Sequence, residues 1–251
     1  MAVGSTFDVE RRRRGLTEQL RETGAVRIEE AATEWVVHPM TIRRDLRSLQ
    51  QDGVARLVRG GAVFAGPTGI ERRQALARPA KRRIAEKAQQ LVPRGAAVGI
   101  DASTTALELV GQVMPDDLIV VTYGLEAFGL LQERPGARVY LTGGERDRRT
   151  GSLVGPLALR ALHGFSLARC FLSATGVHPA LGCTEPTAEE VEVKQAMAAV
   201  SAHVVLLADS TKLHLRSSVR SLELAQVDLL ITELDPDDAR LAPFREVVEL
   251  R

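Results

Sequence analysis

The chain has 251 residues, 45% hydrophobic and 26% charged, with a formal net charge of +1. That is the balance of a soluble globular protein with a real core, organised as one large domain or two modest ones. No apolar run of about 18 residues is present, which excludes a transmembrane helix, and Cys170 and Cys183 are too few for a disulfide framework or a cysteine-rich zinc site. The arginine block at the N-terminus has no apolar stretch behind it, so no secretory signal is expected and the reading is cytoplasmic. Charge is unevenly spread. Residues 1–94 carry 19 Lys/Arg against 11 Asp/Glu, and residues 95–251 carry 14 against 21. The front of the chain is therefore expected to meet a polyanion.

In chain order, Leu16 and Leu20 sit at i, i+4, and Gly24 ends that helix. Ile28, Ala32 and Trp35 mark a second short helix, with Trp35 expected in the core. Pro39 suits the first turn of a third helix, with His38 near its cap. Ile42, Leu46 and Leu49 form the inner stripe of that helix, ended by Gly53. Two small strands follow over 54–63, bent at Gly60-Gly61. Three helices and a hairpin in under about 60 residues is the pattern of a winged helix-turn-helix.

With Ile42, Leu46 and Leu49 facing inward, Thr41, Arg43, Arg44 and Arg47 are pushed outward. Long donors there reach guanine edges or phosphate oxygens in a major groove. Arg56, Arg59 and Gly60 on the wing are expected to add phosphate or minor-groove contacts, and the Arg11–Arg14 block is a candidate for flanking phosphates. Asp45 reads as an ion-pair partner within the domain.

Residues 64–80 have no stable period and read as a linker. From Lys81 the rhythm becomes helix, strand, helix, strand. Helices are predicted at 81–92, 105–113, 125–133, 156–163 and 187–201. Strands are predicted at 96–100, 118–122, 138–142, 168–173, 203–208 and 228–232. Nearly continuous apolar strands alternating with helices argue for an α/β domain whose parallel sheet is covered on both faces.

In such a sheet, ligands bind beyond the carboxyl ends of the strands, and the polar residues cluster there. Asp101, Ser103, Thr104 and Thr105 open a helix and form a candidate phosphate cradle. Thr122 and Tyr123 follow the next strand. Gly143 and Gly144 would let backbone approach a ligand. Asp209 and Lys212 follow a fourth strand, and Lys194 lies on the helix before it. Glu185 is placed on a lid loop, Cys170 in the core and Cys183 on a loop. The histidines have no metal-ligand spacing, so no metal or cofactor is expected.

Val37 to Leu46, then Gly53 and Arg59-Gly60-Gly61-Ala62, resemble the DNA-binding module of the DeoR family of bacterial transcriptional regulators, from about Arg13 to Val63. His38 stands where the family usually has serine. The strand-end residues Asp101 to Thr105, Thr122, Gly143-Gly144, Lys194 and Asp209 to Lys212, with Gly155 and Gly176, stand in family order. They resemble the family's C-terminal sensor domain. Tyr123 stands where an asparagine usually follows the threonine.

The resemblance implies a Rossmann-like sensor similar in fold to ribose-5-phosphate isomerase and CoA-transferase-like proteins, and an effector that is a phosphorylated sugar or related metabolite. The expected organisation is a DNA-binding domain at 1–63, a linker at 64–80, and an effector-binding and oligomerisation domain at 81–251. The expected function is a repressor of a sugar-catabolic operon, bound to double-stranded operator DNA as a homodimer or homotetramer and not to membranes. The linker and the helix at 81–92 are expected to transmit effector binding. Two alternatives stay open: the same regulator with a sensor that binds no ligand, and a sugar-phosphate isomerase-like enzyme.

Overall fold

The computed structural model describes residues 6–51, 54–64, 73–112, 115, 117–147 and 150–251. The chain divides into two compact units, Met1–Arg72 and Arg73–Arg251.

The first unit contains α1 (Thr6–Thr23), β1 (Ala25–Arg27), α2 (Ile28–Glu34), α3 (Pro39–Gln51), β2 (Ala55–Val58) and β3 (Gly61–Phe64). Leu16, Leu20, Ile28, Ile42, Leu46 and Leu49 form one buried cluster, with Trp35 packed against it. Gly24 ends α1 at φ +80°, its N–H donating to Leu20 O at 3.0 Å. Gly53 lies outside the described residues. The hairpin is joined by β1, which periodicity does not predict, giving the order β1-β3-β2.

The second unit is built on α4 (Arg78–Gln89), β4 (Ala97–Ile100), α5 (Thr104–Gly111), β5 (Ile119–Thr122), α6 (Leu125–Leu131) and β6 (Arg138–Leu141). There follow β7 (Glu145–Arg146), β8 (Leu153–Val154), α7 (Pro156–His163), β9 (Arg169–Leu172), β10 (Gly176–His178), β11 (Gly182–Glu185) and α8 (Ala188–Ala199). The unit closes with β12 (Val204–Leu207), β13 (Val219–Arg220), β14 (Leu229–Ile231) and β15 (Glu249–Leu250). Seven strands pair in parallel in the order β15-β14-β12-β9-β4-β5-β6.

Alternate residues of each strand feed two cores. Val98, Ile100, Phe171, Val205 and Leu207 pack with Ile84 and Ala88 of α4 on one face. Cys170, Leu172, Val204 and Leu206 pack with Ala158 of α7 and Val193 and Met197 of α8 on the other. Both faces being apolar, the strands read as unbroken hydrophobic runs.

The helix expected at 81–92 begins at Arg78, because Pro79 fits a first turn where its missing N–H costs nothing. Phe64 belongs to β3, and residues 65–72 of the expected linker lie outside those described. A small antiparallel sheet, β10-β11-β13, stands beside the main one. It corrects two expectations: Glu185 is on β11 and not on a lid loop, and Cys183 is a buried strand residue and not a loop thiol.

The chain runs from β4 outward through β5 to β6, then returns to β9 on the opposite side of β4 and continues to β15. The boundary between β4 and β9 is therefore where the winding direction reverses, the place at which doubly wound sheets leave a crevice.

Candidate DNA interface and effector site

In the first unit, the side chain of Asp45 is turned inward and is 4% exposed. Arg12 Nε donates to its Oδ2 at 2.6 Å and Arg13 Nε to its Oδ1 at 3.1 Å, tying α1 to α3. This corrects the arginine-block expectation for Arg12 and Arg13: both are drawn to a carboxylate inside the fold, Arg12 being buried. Arg11 and Arg14 are exposed.

With Asp45 satisfied from within, Arg43, Arg44 and Arg47 stand exposed along α3, and Thr41 is half-buried beside them. Arg56 and Arg59 are exposed on the hairpin. Gly60 turns it at φ +83° while its carbonyl accepts from Ile28 N at 3.0 Å. His38 is exposed, and its Nδ1 accepts from Met40 N at 3.2 Å, so the imidazole takes the capping role of a small hydroxyl.

In the second unit, the strand ends at the reversal point converge on buried charge. Asp101, just beyond β4, accepts from Ser103 N at 2.9 Å and from Ser173 N, beyond β9, at 2.6 Å. Lys194 on α8 reaches the same place. Its Nζ donates to Glu185 Oε1 and to Ser173 O, both at 2.5 Å, and lies 3.9 Å from Asp101 Oδ2. Burial alone would lower the Lys194 pKa, but Glu185 and Asp101 together raise it, so the ammonium stays charged. Glu185 Oε2 also accepts from Thr175 Oγ1 at 2.9 Å.

Lys212 ends a short turn, Ser210–Lys212, capped by Asp209, whose Oδ1 accepts from Thr211 N at 3.2 Å. Lys212 Nζ donates to Ser173 Oγ at 2.8 Å. Its pKa is lowered by burial and by the Lys194 charge, against the pull of Asp209. Lys81, buried on α4, has its pKa lowered to about 8, first by burial and then by Lys212. Lys212 is thus coupled to both Lys81 and Lys194, with Asp101, Glu185 and Asp209 as the opposing charges.

The other expected site residues make individual local contacts. Ser103 is the N-cap of α5, its Oγ accepting from Ala106 N at 3.0 Å. Thr104 Oγ1 points to Arg73 O at 3.4 Å. Thr105 Oγ1 is buried without a partner. Thr122 Oγ1 accepts from Gly124 N at 3.0 Å. Tyr123 is 2% exposed, its ring in the core and its hydroxyl without a hydrogen-bond partner; burial first, then Asp101, Glu185 and Glu190, raise its pKa.

Gly143 is open at φ +73°. Gly144 corrects the expectation of an approach to ligand: a Cβ there would lie 2.5 Å from Val154 O, so its bareness serves β8. Ser173 and Lys81 are site residues that sequence reasoning missed. Ser173 stands at the end of a predicted strand, the one signal that could have found it. Among the described residues, no group of three or more His, Cys, Asp or Glu could hold a metal ion, and no helix is long and apolar enough to cross a membrane.

Two family profiles match this architecture: the DeoR-like helix-turn-helix domain over residues 12–68, and the DeoR C terminal sensor domain over residues 77–234. The chain belongs to the DeoR family. It is similar to the HTH-type transcriptional regulator GlpR of Haloferax volcanii, 32% identical over 232 residues, covering 90% of this chain and 91% of that protein. It is also similar to the Glycerol-3-phosphate regulon repressor of Escherichia coli, 30% identical over 230 residues, covering 90% and 91%. Among solved structures, ribose 5 phosphate isomerase A from Neisseria gonorrhoeae aligns over 53% of this chain and 52% of its own, with TM-score 0.35 and 22% identity.

This DeoR-family protein is a DNA-binding transcriptional regulator and not an enzyme. Asp101, Glu185 and Lys212 lie within the span that matches the sensor domain.

Proposed function

We propose that this regulator represses a sugar-catabolic operon from the cytoplasm and is released from double-stranded operator DNA by a phosphorylated sugar. The observation that carries the effector class is the cluster of Lys81, Lys194 and Lys212 at the sheet's reversal point, surrounded by Asp101, Asp209 and Glu185. Ammonium groups suit a phosphate, and carboxylates accept from sugar hydroxyls. Relatives named as a Glycerol-3-phosphate regulon repressor and a Lactose phosphotransferase system repressor support the same class. Arg43, Arg44, Arg47 and Thr41 read the major groove, while Arg56 and Arg59 hold the backbone. The working form is a homodimer or homotetramer.

A second reading, a sensor that binds no ligand, is favoured by one residue: Tyr123, buried in the core, stands where the family usually has asparagine. Binding of the full-length protein to its own upstream DNA, at fixed salt and across a panel of sugar phosphates, tests both. Release by one compound is the expected result, and indifference to all of them would favour the blind sensor. In a thermal-shift assay, a true effector at 100 times its dissociation constant adds about 2.7 kcal/mol. Lys212→Ala is expected to abolish release while leaving operator affinity intact. Equal loss of both would mark Lys212 as structural.

A further inference from the structure

Arg73 opens the second unit, directly after the stretch that joins it in sequence to the DNA-binding unit. It is held by three separate elements. Its carbonyl oxygen accepts from Lys81 Nζ on α4 and from Thr104 Oγ1 at the start of α5, the latter at 3.4 Å. Its guanidinium donates to Thr150 O at 3.1 Å, in the loop before β8.

The carbonyl is a poor match for what surrounds it. Lys81 is 3% exposed and its ammonium donates to a neutral oxygen; Asp209 and Glu108 favour its charge, but burial and the charge of Lys212 outweigh them. A buried ammonium is compensated well by a full negative charge and only partly by an amide dipole. Thr104 adds a hydroxyl donor aimed at the same oxygen. Two donors converging on one acceptor, next to a second lysine, make an anion subsite in which a backbone carbonyl takes the place of a ligand oxygen.

We infer that residue 73 is a latch: its carbonyl occupies the anion subsite formed by Lys81 and Thr104, and a phosphate-bearing effector displaces it. Displacement releases the Arg73 carbonyl from α4 and α5 and loosens the start of the second unit, which the guanidinium contact to Thr150 still holds in part. The effector thereby gains a differential affinity for the unlatched state, which any ligand-driven switch requires. This inference rests on the phosphorylated-effector reading and names the element through which that effector acts.

The test uses the full-length protein and inorganic phosphate as probe, with sodium chloride at matched ionic strength as control. Trypsin cleavage of the Arg73–Gln74 bond is followed by mass spectrometry, and phosphate binding is followed independently by phosphorus-31 line width. Phosphate is expected to bind and to accelerate this cleavage about tenfold, the scale on which one charge-assisted hydrogen bond shifts a local opening. Lys81→Met is expected to be cut at the fast rate without phosphate and to ignore it. Thr104→Val, which removes only a hydroxyl, is expected to fall between and serves if Lys81→Met does not fold.

Binding without faster cleavage overturns the latch and leaves the anion reading standing. Chloride acting as well as phosphate, or Lys81→Met cut as slowly as the parent, also overturns the latch. Failure of phosphate to bind at all sinks the effector reading itself.

Discussion

Arg44 and Arg12 are both arginines of the first unit, and their fates differ because of one carboxylate. Asp45 draws Arg12 into the fold at 2.6 Å, whereas Arg44, its neighbour in sequence, is left in solvent on α3. Arg44→Ala is accordingly expected to leave the fold intact and to cost about 1–3 kcal/mol of operator binding, with relaxed preference at one base pair. Gel shifts on single-base operator variants check this. Uniform weakening across all of them would make Arg44 a phosphate contact.

Lys81 carries a pH prediction. Its pKa is lowered from 10.5 to about 8 in the folded chain. Between these values the unfolded chain binds more protons than the folded one, so stability rises with pH across that window. The cost of the buried charge is fully present below pH 8. Thermal melts against Lys81→Met are expected to show the parent gaining on the variant as pH rises through 8. A constant difference would show that the lysine titrates normally.

At the scale of elements, the long periodic segments were legible. Ile42, Leu46 and Leu49 at helical spacing fixed α3, Pro39 its start, and the apolar runs around Val98, Val120 and Val205 the sheet. What escaped was short or long-range. Ala25–Arg27 is a three-residue strand with one inward side chain, too short to display a period, and its place is set by pairing with β3. The loop expected around Cys183 and Glu185 instead folds as β11, paired with β10, and carries Glu185 to Lys194. Ser173 and Lys81 join the site only through contacts that cross many residues of chain. Helical or strand spacing does not reveal such contacts.

The Glu185–Lys194 pair joins β11 to α8, and it follows the asymmetry of buried ion pairs. Lys194→Met leaves a buried carboxylate with its cation gone and is expected to destabilise the second unit by about 3–5 kcal/mol. Adding Glu185→Gln should recover a substantial part of that loss. Urea unfolding of the parent, the single variants and the double variant closes the cycle, and additive losses would show that the two side chains do not interact.

For the whole molecule, the charge split does not follow the structural division. Residues 1–72 hold 12 Lys/Arg against 10 Asp/Glu, whereas residues 73–94, which include α4, hold 7 against 1. Most of the excess positive charge of the front of the chain therefore belongs to the second unit. The DNA-binding unit owes its positive face to the placement of Arg43, Arg44, Arg47, Arg56 and Arg59, with its acids elsewhere, and not to a large net charge. Long-range steering is accordingly expected to be modest, with register on DNA set by local contacts.

Under the proposed function, effector and operator would act through one chain, and their coupling would be reciprocal. If an effector lowers operator affinity by some factor, operator DNA is expected to lower effector affinity by the same factor. Calorimetric titration of the effector with and without DNA measures it. Unequal factors at equilibrium would mean that a third species, such as a change of oligomer, is also involved.

The chain has one tryptophan, Trp35, and two tyrosines, Tyr123 and Tyr140. Trp35 lies in the DNA-binding unit, its ring so close to Gly15 that an added Cβ would sit 2.3 Å from it. Both tyrosines lie in the sensor. Red-edge ultraviolet excitation therefore makes the head alone fluoresce. The regulator carries a native optical label in one half only, so melting of the head and operator docking can be followed there without a dye.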